Sequence, residues 1–95
     1  LPRINPFDFG DEPIYDGQAA QLACMVRDGD TPIEINWTLD GKPMSPSLPH
    51  NIGKLGPRTS ILLIEPVTPR HSGTYACVAT NPSGKTIHEA TLRVH

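Results

Sequence analysis

Two cysteines, and the aromatic residues placed around them, constrain the fold of this chain most. Cys24 and Cys77 are its only cysteines and lie 53 positions apart (77 − 24). Trp37 follows Cys24 by 13 positions (37 − 24), and Tyr75 lies two positions before Cys77. An even, widely spaced pair in a chain of 95 residues predicts a disulfide, provided that the compartment is oxidising. In the chain-entropy model, this bond would constrain the unfolded state by roughly 4 kcal/mol.

The pattern of apolar residues predicts an all-β chain. Apolar and polar residues alternate over several stretches, whereas no window repeats apolar residues at helical spacing. Eleven prolines and eight glycines separate these stretches at intervals suited to strands. We predict seven strands, A to G, with A as an edge strand kinked at Pro6; they cover residues 3–7, 18–27, 33–39, 51–55, 59–65, 74–80 and a last stretch ending at 94.

Together these features predict an immunoglobulin-like β-sandwich. In that fold a disulfide joins strands B and F, a Trp on strand C packs against it, and a Tyr two residues before the second Cys bonds to backbone at the E–F turn. The alternation points Cys24, Cys77, Trp37 and Tyr75 to one interior, and we also assign Leu62 to the core. The short C-to-E region indicates the intermediate set (I-set). We therefore expect residues 1–95 to be a single domain, excised from a multidomain ectodomain.

One turn departs from the usual pattern of this fold. The E–F turn carries His71 where an Asp is common, so a local salt bridge is lost, and we expect the fold to survive the change.

Several longer segments give a narrower resemblance. The stretches 6–10 (PFDFG), 32–37 (PIEINW), 58–60 (RTS), 77–82 (CVATNP) and 92–94 (LRV) are similar to Dscam, the Down syndrome cell adhesion molecule of arthropods. The resemblance runs nearly end to end. It is strongest for the hypervariable domain, which is seventh in long Dscam and first in the shortened chelicerate forms. It implies isoform-specific binding between identical copies on apposed cells.

The outward residues of strands B and E suggest where such binding would occur. If Leu62 points inward, Ile61 and Leu63 point outward beside Met25, forming an apolar stripe that a sheet facing only water would not need. An error of one residue in register would reverse this assignment. The predicted interface on the A–B–E–D face comprises Ala19, Gln21, Ala23, Met25, Arg27, Lys54, Arg58, Thr59, Ile61 and Leu63.

The expected partner is a protein, above all an identical copy in an antiparallel, two-fold homodimer. A contact through the C–F–G face, or coverage of the stripe by strand A or an adjoining domain, stays open. Two other functions also stay open. One is a heterophilic receptor module that binds through loops 28–32 and 81–84; the other is a structural spacer with reduced thiols. The leading interpretation places the chain outside the cell, in the ectodomain of a single-pass membrane protein.

Other classes of function find little support in the sequence. The net charge of −2, without runs of one sign, argues against nucleic acid. The longest apolar run, 61–64, is far too short to span a membrane, so any membrane link lies in a segment of the parent protein outside this chain. The sequence shows no cluster of acid, base and nucleophile residues. We therefore expect no catalysis, no small-molecule substrate and no cofactor.

Four histidines and one asparagine are the remaining candidate sites. His50, His71, His88 and His95 have no metal-ligand spacing, and we predict that they are solvated rather than metal-bound. Asn36-Trp37-Thr38 matches the N-glycosylation acceptor pattern, so Asn36 is a possible glycosylation site. Its predicted position in the middle of a strand favours an unmodified residue, because acceptors usually lie on loops.

Overall fold

The computed structural model describes residues 2–95 and has the predicted two-sheet architecture. Its strands order as β1-β2-β6-β5 in the first sheet and as β4-β3-β7-β8 in the second. All pairings between these strands are antiparallel. The strands are β1 (Arg3–Ile4), β2 (Ala20–Asp28), β3 (Glu34–Leu39), β4 (Lys42–Pro43), β5 (Asn51–Leu55), β6 (Thr59–Ile64), β7 (Gly73–Asn81) and β8 (Gly84–Leu92).

The predicted strands B to G correspond to β2, β3, β5, β6, β7 and β8, and the alternation in β2 and β6 is as expected. Every second residue of β2 from Ala20 to Val26 is buried, as is every second residue of β6 from Ser60 to Ile64. Leu62 is therefore inward, and the predicted register of strand E is confirmed. Asp40 and Gly41 both have positive φ, which fits the tight hairpin between β3 and β4.

A disulfide between Cys24 and Cys77 joins the two sheets, as predicted. Trp37 lies next to Cys77 in the second sheet, and its indole N–H donates to Oγ of Ser60 in the first at 2.9 Å. Both side chains are buried, so this bond satisfies a polar group that would otherwise be costly to enclose. The core is thus fastened covalently and by a hydrogen bond at neighbouring points.

The E–F turn differs from the expectation that the histidines are solvated. His71 is fully buried, at the end of a 3-10 turn (Pro69–His71), so for this residue the prediction is wrong. Its Nδ1 accepts from the backbone N–H of Thr68 at 2.9 Å, which leaves Nε2–H to donate to the carbonyl oxygen of Pro49 at 2.8 Å. The bond to Pro49 ties the turn to the loop between β4 and β5. It takes the place of the salt bridge that an Asp at position 71 would form.

Tyr75 completes this corner. Its hydroxyl donates to the carbonyl oxygen of His71 at 2.7 Å, as the tyrosine-corner prediction requires. Burial of the phenol, with a smaller contribution from the negative charge of Asp40, raises the pKa of Tyr75 to about 12.

The first strand is shorter than predicted. β1 ends at Ile4, and the prediction that it reaches Phe7 is wrong because the chain leaves the first sheet at Pro6. The ring of Phe7 lies 5.8 Å from that of Trp37 and 4.5 Å from that of His88, between the sheets. Further on, Ile14 forms a parallel bridge with Val94, beside the end of the second sheet.

Within residues 2–95, helical structure is limited to the 3-10 turn, and no helix there has the length and apolarity needed to cross a membrane.

Candidate protein-binding face

The outward surface of the first sheet is largely uncharged. We define the first-sheet outer face by the outward residues of three paired strands. Strand register places them in three cross-strand rows, which are Asn51–Leu63–Gln21, Gly53–Ile61–Ala23 and Leu55–Thr59–Met25. Three strands about 4.8 Å apart, with about 3.3 Å per residue along each, make a patch of roughly 15 Å by 15 Å.

The relief of this face follows from the side chains in each row. Ile61 is flanked by Gly53 and Ala23, so it stands above its neighbours. In the next row Thr59 is flanked by Leu55 and Met25, which are 61% and 40% exposed. The face therefore carries an apolar ridge beside a shallow hollow. Such a shape suits contact with a second apolar surface better than contact with water.

Charges lie at the two ends of this face. Arg27, near the end of β2, and Glu65, directly after β6, are both exposed. Because β2 and β6 are antiparallel, these strand ends lie on opposite sides of the face, which we call its two edges. The face is thus neutral in the middle, positive at one edge and negative at the other. Arg3 and Asp28, which are 3.6 Å apart, add an ion pair beyond the positive edge.

Two of the charged residues predicted for the interface lie elsewhere. Lys54 pairs with Ser60, whose side chain is buried between the sheets, so Lys54 points to the inner side of the edge strand and its assignment to the outer face is wrong. Arg58 is half-buried, and its guanidinium donates to the carbonyl oxygen of Gly29 at 2.7 Å. That hydrogen bond holds the β2–β3 loop and leaves Arg58 little freedom to reach a partner.

The other predicted interface residues lie together. Gln21, Ala23, Met25 and Arg27 are exposed along β2, and Ala19 is exposed just before it. Beside them Thr59, Ile61 and Leu63 are half-buried along β6.

Sequence reasoning missed Leu55, the most exposed large apolar residue of the face. Strand β5 is exposed throughout, so its own pattern contains no periodicity that could assign its faces. The Gly56-Pro57 pair between the two predicted strands held a usable signal, because the hairpin formed there places Leu55 opposite Thr59.

The outward surface of the second sheet has a different composition. This second-sheet outer face carries Glu34, Lys85 and Glu89, with threonines between them and the exposed Ile87 as its largest apolar side chain. Asn36 is exposed here and donates from Nδ2 to Oε1 of Glu34 at 3.3 Å. Across the described residues, no group of three or more His, Cys, Asp or Glu is placed to hold a metal ion.

Known proteins place the chain in a family. The family profile described as "Immunoglobulin domain" matches residues 2–81. The chain is 37% identical over 95 residues to the cell adhesion molecule Dscam1 of Drosophila melanogaster, covering 99% of this chain and 5% of that protein. It thus spans about one-twentieth of the length of this relative.

Solved structures agree with this assignment. The crystal structure of the Dscam1 Ig7 domain, isoform 5, is 41% identical, with a TM-score of 0.93 over 99% of this chain and 96% of that one. The titin M3 domain is 27% identical, with a TM-score of 0.85 over 99% of this chain and 96% of that one. The chain is therefore an immunoglobulin domain of the Dscam family.

Proposed function

We propose that this domain is a cell-adhesion module that binds an identical copy on an apposed cell through the first-sheet outer face. The observation that carries the proposal is the uncharged, apolar centre of that face, with Met25 40% and Leu55 61% exposed. Folding alone does not require these side chains to be apolar, because the core lies on the other side of β2 and because β5 is exposed throughout. The similarity to Dscam1, a cell adhesion molecule, supports an extracellular role in a larger ectodomain.

The distribution of charge favours an antiparallel, two-fold pairing. A two-fold rotation about an axis that lies in the plane of the contact, perpendicular to the strands, brings the Arg27 edge of one copy over the Glu65 edge of the other. The same rotation brings Glu65 over Arg27 at the far side, so each dimer gains two attractive contacts. A parallel arrangement would place like charges together, at an energetic cost. The ridge at Ile61 would lie near the centre of the contact, close to the axis.

The size of the patch implies a weak contact per domain. A face of roughly 15 Å by 15 Å is far smaller than the roughly 800 Å² per partner of a standard stable interface. Weak contacts suffice between cells, because many copies on two membranes act together. They also favour discrimination: a single charge or bulky residue in a foreign isoform then removes a large share of the binding energy.

The test is sedimentation equilibrium of the purified chain and three variants. Met25→Asp and Leu63→Arg each place a charge in the apolar centre and should weaken self-association at least tenfold, or about 1.4 kcal/mol. Ile87→Asp is the control, because it places the same charge at an exposed apolar residue of the opposite face. It should leave self-association unchanged.

Two outcomes would overturn the proposal. If only Ile87→Asp weakens self-association, the interface is the second-sheet outer face. If the unmodified chain stays monomeric at millimolar concentration, a heterophilic receptor module or a spacer becomes the better interpretation. Bead aggregation adds a test of specificity: beads bearing this chain should separate from beads bearing a form changed at Gln21, Met25, Ile61 and Leu63.

A further inference from the structure

We infer that Asn36 is an N-glycosylation site whose glycan covers the second-sheet outer face. Asn36-Trp37-Thr38 has the acceptor pattern, and Asn36 lies in the middle of β3 with its side chain exposed. This inference rests on the extracellular role proposed above, since the modification occurs on the secretory route. Its test is a mass measurement that does not involve self-association.

Asn36 is accessible while the chain is being made, although it lies within a strand of the folded domain. The strand that pairs with β3 along its whole length is β7, and the residue opposite Asn36 is Val78, 42 positions later (78 − 36). At about 5–20 residues per second, β3 has no such partner for some seconds after Asn36 emerges. Trp37 can be buried only once β7 is in place. The objection that the acceptor lies in a strand applies to the folded domain, not to the chain at the time of transfer.

The folded domain also has room for the glycan. On the side of β3 away from β7, β4 pairs only with Thr38 and Leu39. In the part of the chain that the structure describes, no strand lies beside Asn36 on that side. An attached sugar therefore leaves over an open edge and need not displace a neighbouring strand.

The glycan is transferred to the side-chain nitrogen Nδ2 of Asn36. A bond forms between Nδ2 of Asn36 and the anomeric carbon of the first N-acetylglucosamine of a lipid-diphosphate-linked oligosaccharide. The bond from that carbon to the diphosphate oxygen breaks, the lipid diphosphate leaves, and one Nδ2 proton passes to the solvent. The remaining N–H can keep its hydrogen bond to Oε1 of Glu34, which is 3.3 Å away.

Apolar neighbours give the first sugar a surface to pack on. Asn36, Val78 and Ile87 form one cross-strand row on the outward side of the second sheet. Ile87 is 51% exposed, so it forms an apolar step about 10 Å from Asn36, two strand spacings away. A glycan lying along this row would shield Ile87 from water. It would also prevent this face from pairing with another protein and leave the first-sheet outer face free.

The test is intact mass spectrometry of the chain secreted from a eukaryotic host behind a cleavable leader. We expect a mass increment of one glycan, which a peptide-N-glycosidase removes while converting Asn36 to Asp. Thr38→Ser keeps the acceptor pattern and should keep the increment, whereas the near-isosteric Thr38→Val removes the pattern and should abolish it. Both variants leave Asn36 and its hydrogen bond in place.

The overturning result is a secreted chain with the mass of the bare polypeptide, in a host whose own secreted proteins carry glycans. A glycan on the Thr38→Val variant would equally overturn it, because the sugar would then be attached elsewhere. Contacts of the first sugar are read by nuclear Overhauser effects to the Ile87 methyl groups, and their absence would overturn the packing on that row. None of these measurements depends on self-association, so a failure here is distinct from a failure of the proposed interface.

Discussion

The two outer faces of the sandwich differ in chemistry although the two inner faces are alike. The outward residues of β5, of β6 and of β2 from Gln21 to Met25 are uncharged and include Ile61 and Leu63. The second-sheet outer face carries charges and threonines. Both inner faces must be apolar to build one core, so they say little about function. The outer faces need not be apolar to form the core. Their difference in composition therefore indicates whether each face contacts a partner or solvent.

The largest expected effect tests whether the outer side of β6 is dispensable for folding. Leu62 and Leu63 are adjacent, but Leu62 is fully buried whereas Leu63 lies half-buried on the outer face. Leu62→Ala should lower the free energy of unfolding by about 3 kcal/mol, because it leaves a cavity in the core. Leu63→Ala should cost less than about 1 kcal/mol, with both values measured by urea denaturation. Equal costs would mean that the outer leucine serves the fold, and the comparison between the faces would lose its meaning.

The second test perturbs the inner side of the second sheet at Tyr75. Its pKa of about 12 lies above the ordinary value of about 10, so ionisation of the phenol opposes folding. The contribution of the neutral Tyr75 side chain to the free energy of unfolding is complete below about pH 10 and is lost as the pH rises towards 12. Tyr75→Phe should remove this alkaline dependence and cost about 1–2 kcal/mol at neutral pH through loss of the bond to His71. Tyr15→Phe is the control, because Tyr15 is exposed; the same alkaline loss in both variants would contradict the assignment to Tyr75.

Most of the inner structure could be predicted from the sequence because it depends on local alternation. Cys24 and Trp37 each lie in a strand whose inward positions, at every second residue, are apolar, whereas Leu62 lies in the continuous apolar run 61–64. The strands and their inward faces followed from that pattern. The outward position of Met25 followed from it as well, but that of Leu63 depended on a register that only the pairing of β6 with β2 settles.

The errors arose where a residue's environment depends on distant parts of the chain. Lys54 lies in a strand without alternation, and only pairing with β6 reveals its side. His71 is buried because the carbonyl of Pro49, 22 positions away, accepts its Nε2–H. Phe7 reaches the second sheet through His88, 81 positions away. None of these partners has a local signal in the sequence.

The third test addresses the orientation in which two first-sheet outer faces would meet. Arg27→Glu or Glu65→Arg alone should weaken self-association about fivefold, or about 1 kcal/mol, because each turns two attractive edge contacts into repulsive ones. The double variant should recover the original affinity, since it restores opposite charges at both edges. Sedimentation equilibrium at low and high salt measures this, and the single-variant losses should shrink at high salt. Additive losses in the double variant would contradict the antiparallel arrangement.

The smallest expected effect concerns the second-sheet outer face. Ile87 is 51% exposed on β8, and Ile87→Thr keeps a β-branched residue while removing apolar surface. In the chain made without a glycan, it should change both the free energy of unfolding and that of self-association by less than about 0.5 kcal/mol. Thermal unfolding and sedimentation equilibrium measure the two quantities. A larger loss of self-association would mean that the second-sheet outer face also takes part in pairing. The difference in composition between the two faces would then not identify the binding face.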